Sequence, residues 1–139
     1  MEGLGKVGQI LEALDHDGRQ RFLALAQKRH VPAGATIFRE GDAGDEFFVI
    51  AKGSIRISVN DLGKDKEVAL LEHGSFFGEM AMTGPHQRSA TATAASDCEL
   101  VSFHGPSVQG LLDGYPGALE TLTRVGLLRA EATLQKLSE

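Results

Sequence analysis

Residues 76–91 read Phe76-Phe77-Gly78-Glu79-Met80-Ala81-Met82-Thr83-Gly84-Pro85-His86-Gln87-Arg88-Ser89-Ala90-Thr91. This segment sets a glycine and a carboxylate against an arginine, with a short helix-capable turn between them. Arg88 offers a forked, permanent cation that suits a phosphate. Backbone N–H groups at the start of a turn over 79–82 add donors, because the first N–H groups of a helix have no partner within it. Glu79 can accept from a sugar hydroxyl, so the segment predicts a site for a sugar phosphate.

The same segment resembles the phosphate-binding cassette of cyclic nucleotide-binding domains. That cassette reads roughly Phe-Gly-Glu-aliphatic-Ala-aliphatic, a variable loop, then Arg-Ser/Ala/Thr-Ala-Thr/Ser. Residues 32–42 are similar to the family's entry strand and first glycine turn, and residues 46–57 to its central hairpin. The chain departs at Gln87, where many members carry proline. The resemblance covers about residues 10–137, nearly the whole chain.

The resemblance implies a receptor domain for cAMP or cGMP that is not an enzyme and needs no cofactor or metal. The ligand-binding residues that it implies are Gly78, Glu79, Met80, Ala81, Arg88 and Ser89. Further candidates for contact with the ligand are Phe77, Thr91, Arg124 and Leu128. In this family the last helix can cover the bound base and change position, so the C-terminal helix is expected to signal occupancy.

The composition predicts one soluble domain. The chain has 139 residues, of which 42% are hydrophobic and 24% are charged, and its 17 glycines fall between apolar runs. The sequence contains no apolar run of about 20 residues and no signal-peptide pattern. The single cysteine, Cys98, cannot form an internal disulfide, which favours a reducing compartment and a cytoplasmic location. The net charge of −5 argues against direct nucleic-acid binding.

The order of the apolar patterns predicts an α+β, mainly β, fold: an antiparallel jelly-roll barrel with flanking N- and C-terminal helices. The expected single domain, 1–139, divides into an N-terminal helical segment over 1–31, a barrel over 32–104 with the cassette at 76–91, and C-terminal helices over 105–139. Within the barrel, Ile55, Ile57 and Val59 alternate with polar residues, a period of two that is typical of a strand, and residues 61–65 are expected to form a hairpin loop. Residues 15–18 interrupt the N-terminal helical pattern and are expected to cap a helix, and the apolar residues over 119–137 form one stripe of the last helix. Gly78 is expected to be both a turn and a close-approach site, and Cys98 a buried thiol.

Other functions remain open from the residues alone. Glu79 and Arg88 would also fit a surface ion pair, and the fold could serve as a degenerate domain for protein–protein interaction. A cupin-like enzyme is disfavoured because none of the five histidines forms a His-x-His pair, and a Gly-x-Ser-x-Gly elbow is absent. The residues are compatible with cAMP and cGMP, with any oligomeric state, and with a stand-alone sensor or a domain coupled to a protein effector or a fused output domain.

Overall fold

The computed structural model describes residues 11–78, 87–118 and 120. In chain order, one helix precedes the eight strands of this part of the chain and another follows them. The elements in chain order are α1 (His16–Ala24), β1 (Gln27–Val31), β2 (Thr36–Phe38), β3 (Glu46–Lys52), β4 (Ile55–Asp61), β5 (Lys64–Leu71), β6 (Phe76–Phe77), β7 (Thr91–Ala94), β8 (Cys98–His104) and α2 (Gly105–Leu112).

The strands form two four-stranded sheets in which every pairing is antiparallel. The strand order is β1-β8-β3-β6 in the first sheet and β2-β7-β4-β5 in the second. This arrangement confirms the predicted mainly β jelly-roll class with flanking helices. Over the described residues the two sheets are not hydrogen-bonded into a closed barrel, so they form a sandwich with a helical layer on one side.

Strand β3 is buried on both of its faces, and this places it between two apolar cores. Phe47 and Val49 pack with the helices, in a cluster that includes Phe22 of α1 and Val108 of α2. Between the two sheets lies a second cluster, whose buried members are Phe48, Ile50, Ile55, Phe77, Ala92, Ala94, Cys98 and Leu100. Cys98 is therefore a buried thiol, as its strand position predicts.

The N-terminal segment is helical over a shorter stretch than the sequence predicts. Asp15 caps α1 by accepting a hydrogen bond from the N–H of Gly18 at 2.7 Å, which confirms the predicted cap. The prediction of helical structure up to residue 31 is wrong, because Gln27–Val31 is a strand. The apolar spacing ends near residue 26, and the polar residues beyond it pair in register with β8.

The hairpin predicted over 61–65 is confirmed and has a tight two-residue turn. Leu62 and Gly63 both have positive φ, 55° and 86°, as the turn that matches strand twist requires. The predicted alternation along β4 fails after Ile57. A register shift between Ile57 and Ser58 brings both Ser58 and Val59 into buried positions.

The C-terminal helical region begins as predicted. Pro106 lies in the first turn of α2, whose C-cap is Asp113. Beyond it, the hydroxyl of Tyr115 donates a hydrogen bond to Asp15 at 2.8 Å, and its ring occupies the space that a Cβ at Gly18 would need.

The predicted apolar stripe over 119–137 falls almost entirely outside the described residues. No helix in the described part of the chain is long and apolar enough to cross a membrane.

Candidate functional site

Gly78 follows β6 directly and turns the chain at the edge of the first sheet. Its φ of +83° lies in the left-handed region that side chains other than glycine rarely adopt. A Cβ at this position would lie 3.0 Å from Nη1 of Arg88 and 3.1 Å from the carbonyl oxygen of Glu46. Gly78 is therefore both a turn residue and a close-approach site, as the sequence predicts.

The backbone of Arg88 is fixed by the glycine turn that precedes β3. Its N–H donates to the carbonyl of Asp42 at 2.7 Å, and its own carbonyl accepts from the N–H of Gly41 at 2.8 Å. An isolated antiparallel bridge joins Ala43 to Gln87 beside this pair of bonds. Two segments that are far apart in sequence are thus brought together, and Arg88 is placed at the mouth of the space between the sheets.

Arg88 is buried, with 9% of the residue exposed, which excludes a solvent-exposed ion pair for this residue. Its guanidinium carbon lies 4.1 Å from the ring centroid of Phe38, close enough for a cation–π contact. Nη1 donates a long hydrogen bond, 3.4 Å, to the carbonyl of Gly78. Nε is buried and finds no acceptor among the described residues. A buried cation with an unused donor is suited to receive an anion.

Because Gly44 and Gly78 have no side chains, they leave space for the guanidinium of Arg88. A Cβ at Gly44 would lie 2.6 Å from both Nε and Nη2 of Arg88, well inside van der Waals contact. On the other side, a Cβ at Gly78 would crowd Nη1. The guanidinium therefore fits between two positions without side chains, with Phe38 against its face.

Three carboxylates, two from the loop before β3 and one from the first residue of β3, influence this cation. Burial lowers the pKa of Arg88, whereas the negative charges of Glu46, Asp45 and Asp42, in decreasing order of effect, act in the opposite direction. None of them forms an ion pair within 4.0 Å of Arg88 in the described part of the chain. The cation is thus partly offset by nearby negative charge, and it keeps its hydrogen-bonding capacity.

An aromatic cluster lies beneath the guanidinium. Phe48 and Phe77 stack with centroids 5.1 Å apart, and Phe38 lies 6.1 Å and 5.9 Å from them. Phe38 is only partly buried, so it bounds the apolar space from the same side as Arg88. A flat apolar group could pack here while an attached anion contacts Arg88.

The remaining predicted site residues are placed as follows. Phe77 belongs to the inter-sheet core, and Ser89 is exposed next to Arg88. The hydroxyl of Thr91 accepts a hydrogen bond from the N–H of Glu40 at 2.9 Å, a role within the fold. Glu79, Met80, Ala81, Arg124 and Leu128 lie outside the described residues, so their predicted contacts stay predictions.

Sequence reasoning did not identify Phe38, Gly44 or Glu46 as part of the site. Each lies more than forty residues before Arg88, so only the pairing of the β2–β3 turn with the segment at 87–88 brings them together. The glycine-rich character of the 41–44 turn was the available signal, since a second glycine so close to the first leaves room for another group.

The sequence profile of the cyclic nucleotide-binding domain family matches residues 28–115. The chain is 38% identical to a cyclic nucleotide-gated potassium channel of Rhizobium etli over 101 residues, which are 73% of this chain and 27% of the channel. It is 35% identical to the cyclic AMP receptor protein of Thermus thermophilus over 95 residues, 68% of this chain and 44% of that protein. The chain thus spans less than half the length of these relatives.

The fold is similar to known structures of the same kind. The crystal structure of the Thermus thermophilus catabolite activator protein matches with a TM-score of 0.79 and 28% identity, covering 94% of this chain and 62% of the other. The profile match includes both the turn at 41–44 and the segment around Arg88. The chain therefore belongs to the cyclic nucleotide-binding domain family.

Proposed function

We propose that this domain is a receptor for a 3′,5′-cyclic nucleotide, cAMP or cGMP. Arg88 binds the cyclic phosphate, and backbone N–H groups after Gly78, together with the hydroxyl of Ser89, add hydrogen bonds. Glu79 accepts from the ribose 2′-hydroxyl, the one free hydroxyl on that sugar. The base packs in the space bounded by Phe38 and is covered by the C-terminal helix.

The observation that supports this proposal most is that Arg88 is buried while its Nε has no acceptor among the described residues. A buried arginine normally has its donors satisfied, because an unpaired buried polar group is costly. Here Nε has no acceptor among the described residues, and the guanidinium fits in a space kept free by two glycines. A phosphodiester monoanion supplies the missing acceptor and the compensating charge together.

Calorimetric titration of nucleotide-free protein with cAMP and with cGMP tests the proposal. A saturable 1:1 heat for at least one of them is expected, and the ratio of the two dissociation constants gives the base preference. AMP serves as the matched control, since it carries the same base and sugar with an open, more highly charged phosphate. The absence of heat with both cyclic nucleotides would leave the interaction-domain alternative.

We predict that the domain binds the cyclic nucleotide without hydrolysing it. The described part of the candidate site contains a buried cation and apolar rings, and no group of three or more His, Cys, Asp or Glu side chains among the described residues could hold a metal ion. Protein incubated with cAMP and analysed by anion-exchange chromatography should return the ligand unchanged. Linear AMP that appears in proportion to protein concentration would contradict this prediction.

Signalling through the C-terminal helix forms the second part of the proposal. Tyr115 is held by its hydrogen bond to Asp15 and by its ring against Gly18. Ala118 is fully buried against the helical core. The chain is thus anchored up to this point, and we propose that movement on ligand binding starts beyond Ala118. Because relatives of this chain are much longer, we propose that the helix acts on a protein effector or a fused output domain, in the cytoplasm.

Hydrogen exchange with and without saturating cAMP or cGMP is expected to show protection within 125–134. A base offers an apolar surface to this segment, and burial of roughly 100 Å2 favours docking by about 2.5 kcal/mol before ordering costs. Amides around Tyr115 should exchange equally in both states and act as an internal control. Equal exchange throughout 116–137, with clear protection at 78–91, would confirm the site and reject the covering helix.

A further inference from the structure

A second arginine faces the same space from the opposite edge of the first sheet. Arg29 pairs in register with Leu100, a residue of the inter-sheet core, and its guanidinium carbon lies 5.5 Å from the ring centroid of Phe48. Its Nη1 lies 3.8 Å from Oε1 of Glu46. Arg29 therefore reaches the face of the sheet that carries the candidate site, and it meets Glu46 there.

Glu46 lies beside Arg88, because a Cβ at Gly78 would meet both the carbonyl oxygen of Glu46, at 3.1 Å, and Nη1 of Arg88, at 3.0 Å. Among the nearby carboxylates its charge acts most strongly to raise the pKa of Arg88, and its environment differs from that of its neighbours. Asp42 accepts a hydrogen bond from the N–H of Arg39, and Asp45 contacts Nε2 of His104 at 3.3 Å. Among the described residues, the side chain of Glu46 has only the long contact with Arg29, and both side chains are almost half exposed, 41% and 47%. Its charge is thus shared between two cations, one buried and one at the surface.

We propose that the Arg29–Glu46 pair sets the affinity of the site for its phosphodiester anion. This inference rests on the proposed function. The carboxylate of Glu46 and the cyclic phosphate are like charges that compete for Arg88, so Glu46 opposes binding. Arg29 offsets the charge of Glu46 and reduces that opposition. The affinity of the domain can then be tuned at positions that need not contact the ligand.

The test measures the dissociation constants of cAMP and cGMP for Glu46→Gln, Arg29→Gln and the double variant. Glu46→Gln should bind roughly twofold to tenfold more tightly than the parent, and Arg29→Gln more weakly by a similar factor. The double variant should resemble Glu46→Gln, because Arg29 acts through the charge of Glu46. These ratios should shrink between about 0.05 M and 0.5 M salt, since screening weakens interactions between exposed charges.

Arg21→Gln is the matched control, since Arg21 forms an exposed ion pair with Asp17 on α1. The affinity of this variant for cAMP and cGMP should equal that of the parent. Weaker binding by Glu46→Gln would overturn the inference and assign Glu46 a positioning role for Arg88. Additive effects of the two substitutions, or ratios independent of salt, would also overturn it. If the parent binds neither cyclic nucleotide, the proposed function itself fails. A parent that binds while Glu46→Gln is unchanged refutes only this inference.

Discussion

Arg88→Ala is expected to weaken cyclic nucleotide binding by roughly thirty-fold to several thousand-fold. The estimate corresponds to about 2–5 kcal/mol, the usual cost of removing one partner from a desolvated charge pair. Arg88→Lys should restore only part of the loss, because a point charge cannot reproduce the two-pronged contact of the guanidinium. Calorimetric titration of each variant with cAMP and cGMP provides the measurement.

The fold should tolerate the loss of Arg88 much better than binding does. Nε of the buried guanidinium has no acceptor among the described residues, so removal of the side chain relieves a desolvation cost. The same removal loses the contact with Phe38, worth about 0.5–2 kcal/mol. Urea unfolding should therefore show a change of no more than about 2 kcal/mol. Arg39→Ala is the matched control, since Arg39 is an exposed arginine in the turn to which the backbone of Arg88 is hydrogen-bonded. An alanine variant at 88 that binds as tightly as the parent would refute the phosphate assignment.

Gly44→Ala is expected to weaken binding by on the order of tenfold to a hundredfold with little effect on stability. Gly44 is not among the described glycines with positive φ, so alanine can adopt its backbone conformation. The new methyl group would meet Nε and Nη2 of Arg88 at 2.6 Å. Because the obstructed group is the end of a flexible side chain, the guanidinium moves, and a displacement of about 1 Å suffices for such a loss.

Gly110→Ala provides the matched control for this substitution. Gly110 lies within α2, and nothing lies within 4 Å of where its Cβ would be. The change should stabilise the helix by up to about 1 kcal/mol and leave the dissociation constant unaltered. If Gly44→Ala bound the ligand as tightly as the parent, Arg88 would have to contact the ligand from a side-chain position other than the one described here.

The residues that the sequence predicted best are those whose role is local. The left-handed turn at Gly78, the cap at Asp15 and the tight hairpin at Leu62–Gly63 each follow from residue types adjacent in the chain. Arg88 is identified because the Arg-Ser-Ala-Thr half of the cassette follows the Phe-Gly-Glu half after a short loop. Its burial and its backbone bonds to the 41–42 turn agree with a role in binding.

The features that the sequence did not predict depend on contacts between distant segments. Strand β1 is almost entirely exposed, so its sequence carries no alternating apolar pattern. It forms because it pairs with β8, a contact between distant segments. The glycines of the 41–44 turn indicate free space but not which group fills it, because the contact between Gly44 and the guanidinium of Arg88 spans forty-four positions of the chain. The register shift after Ile57 likewise occurs in the pairing of β4 with β5 and is not visible in the residues of β4 alone.

The double backbone bond between Arg88 and the turn at 41–42 has an evolutionary consequence. Residues 79–86 start from Gly78, at the end of a strand paired with β3, and return to a residue held by Asp42 and Gly41. Both ends of this segment are fixed independently of its own sequence. The position of the Arg88 backbone therefore does not depend on the residues between these two ends. In the proposed receptor, substitutions there that spare the residues assigned to the sugar and the phosphate can accumulate in descendants of this domain while Arg88 stays in place.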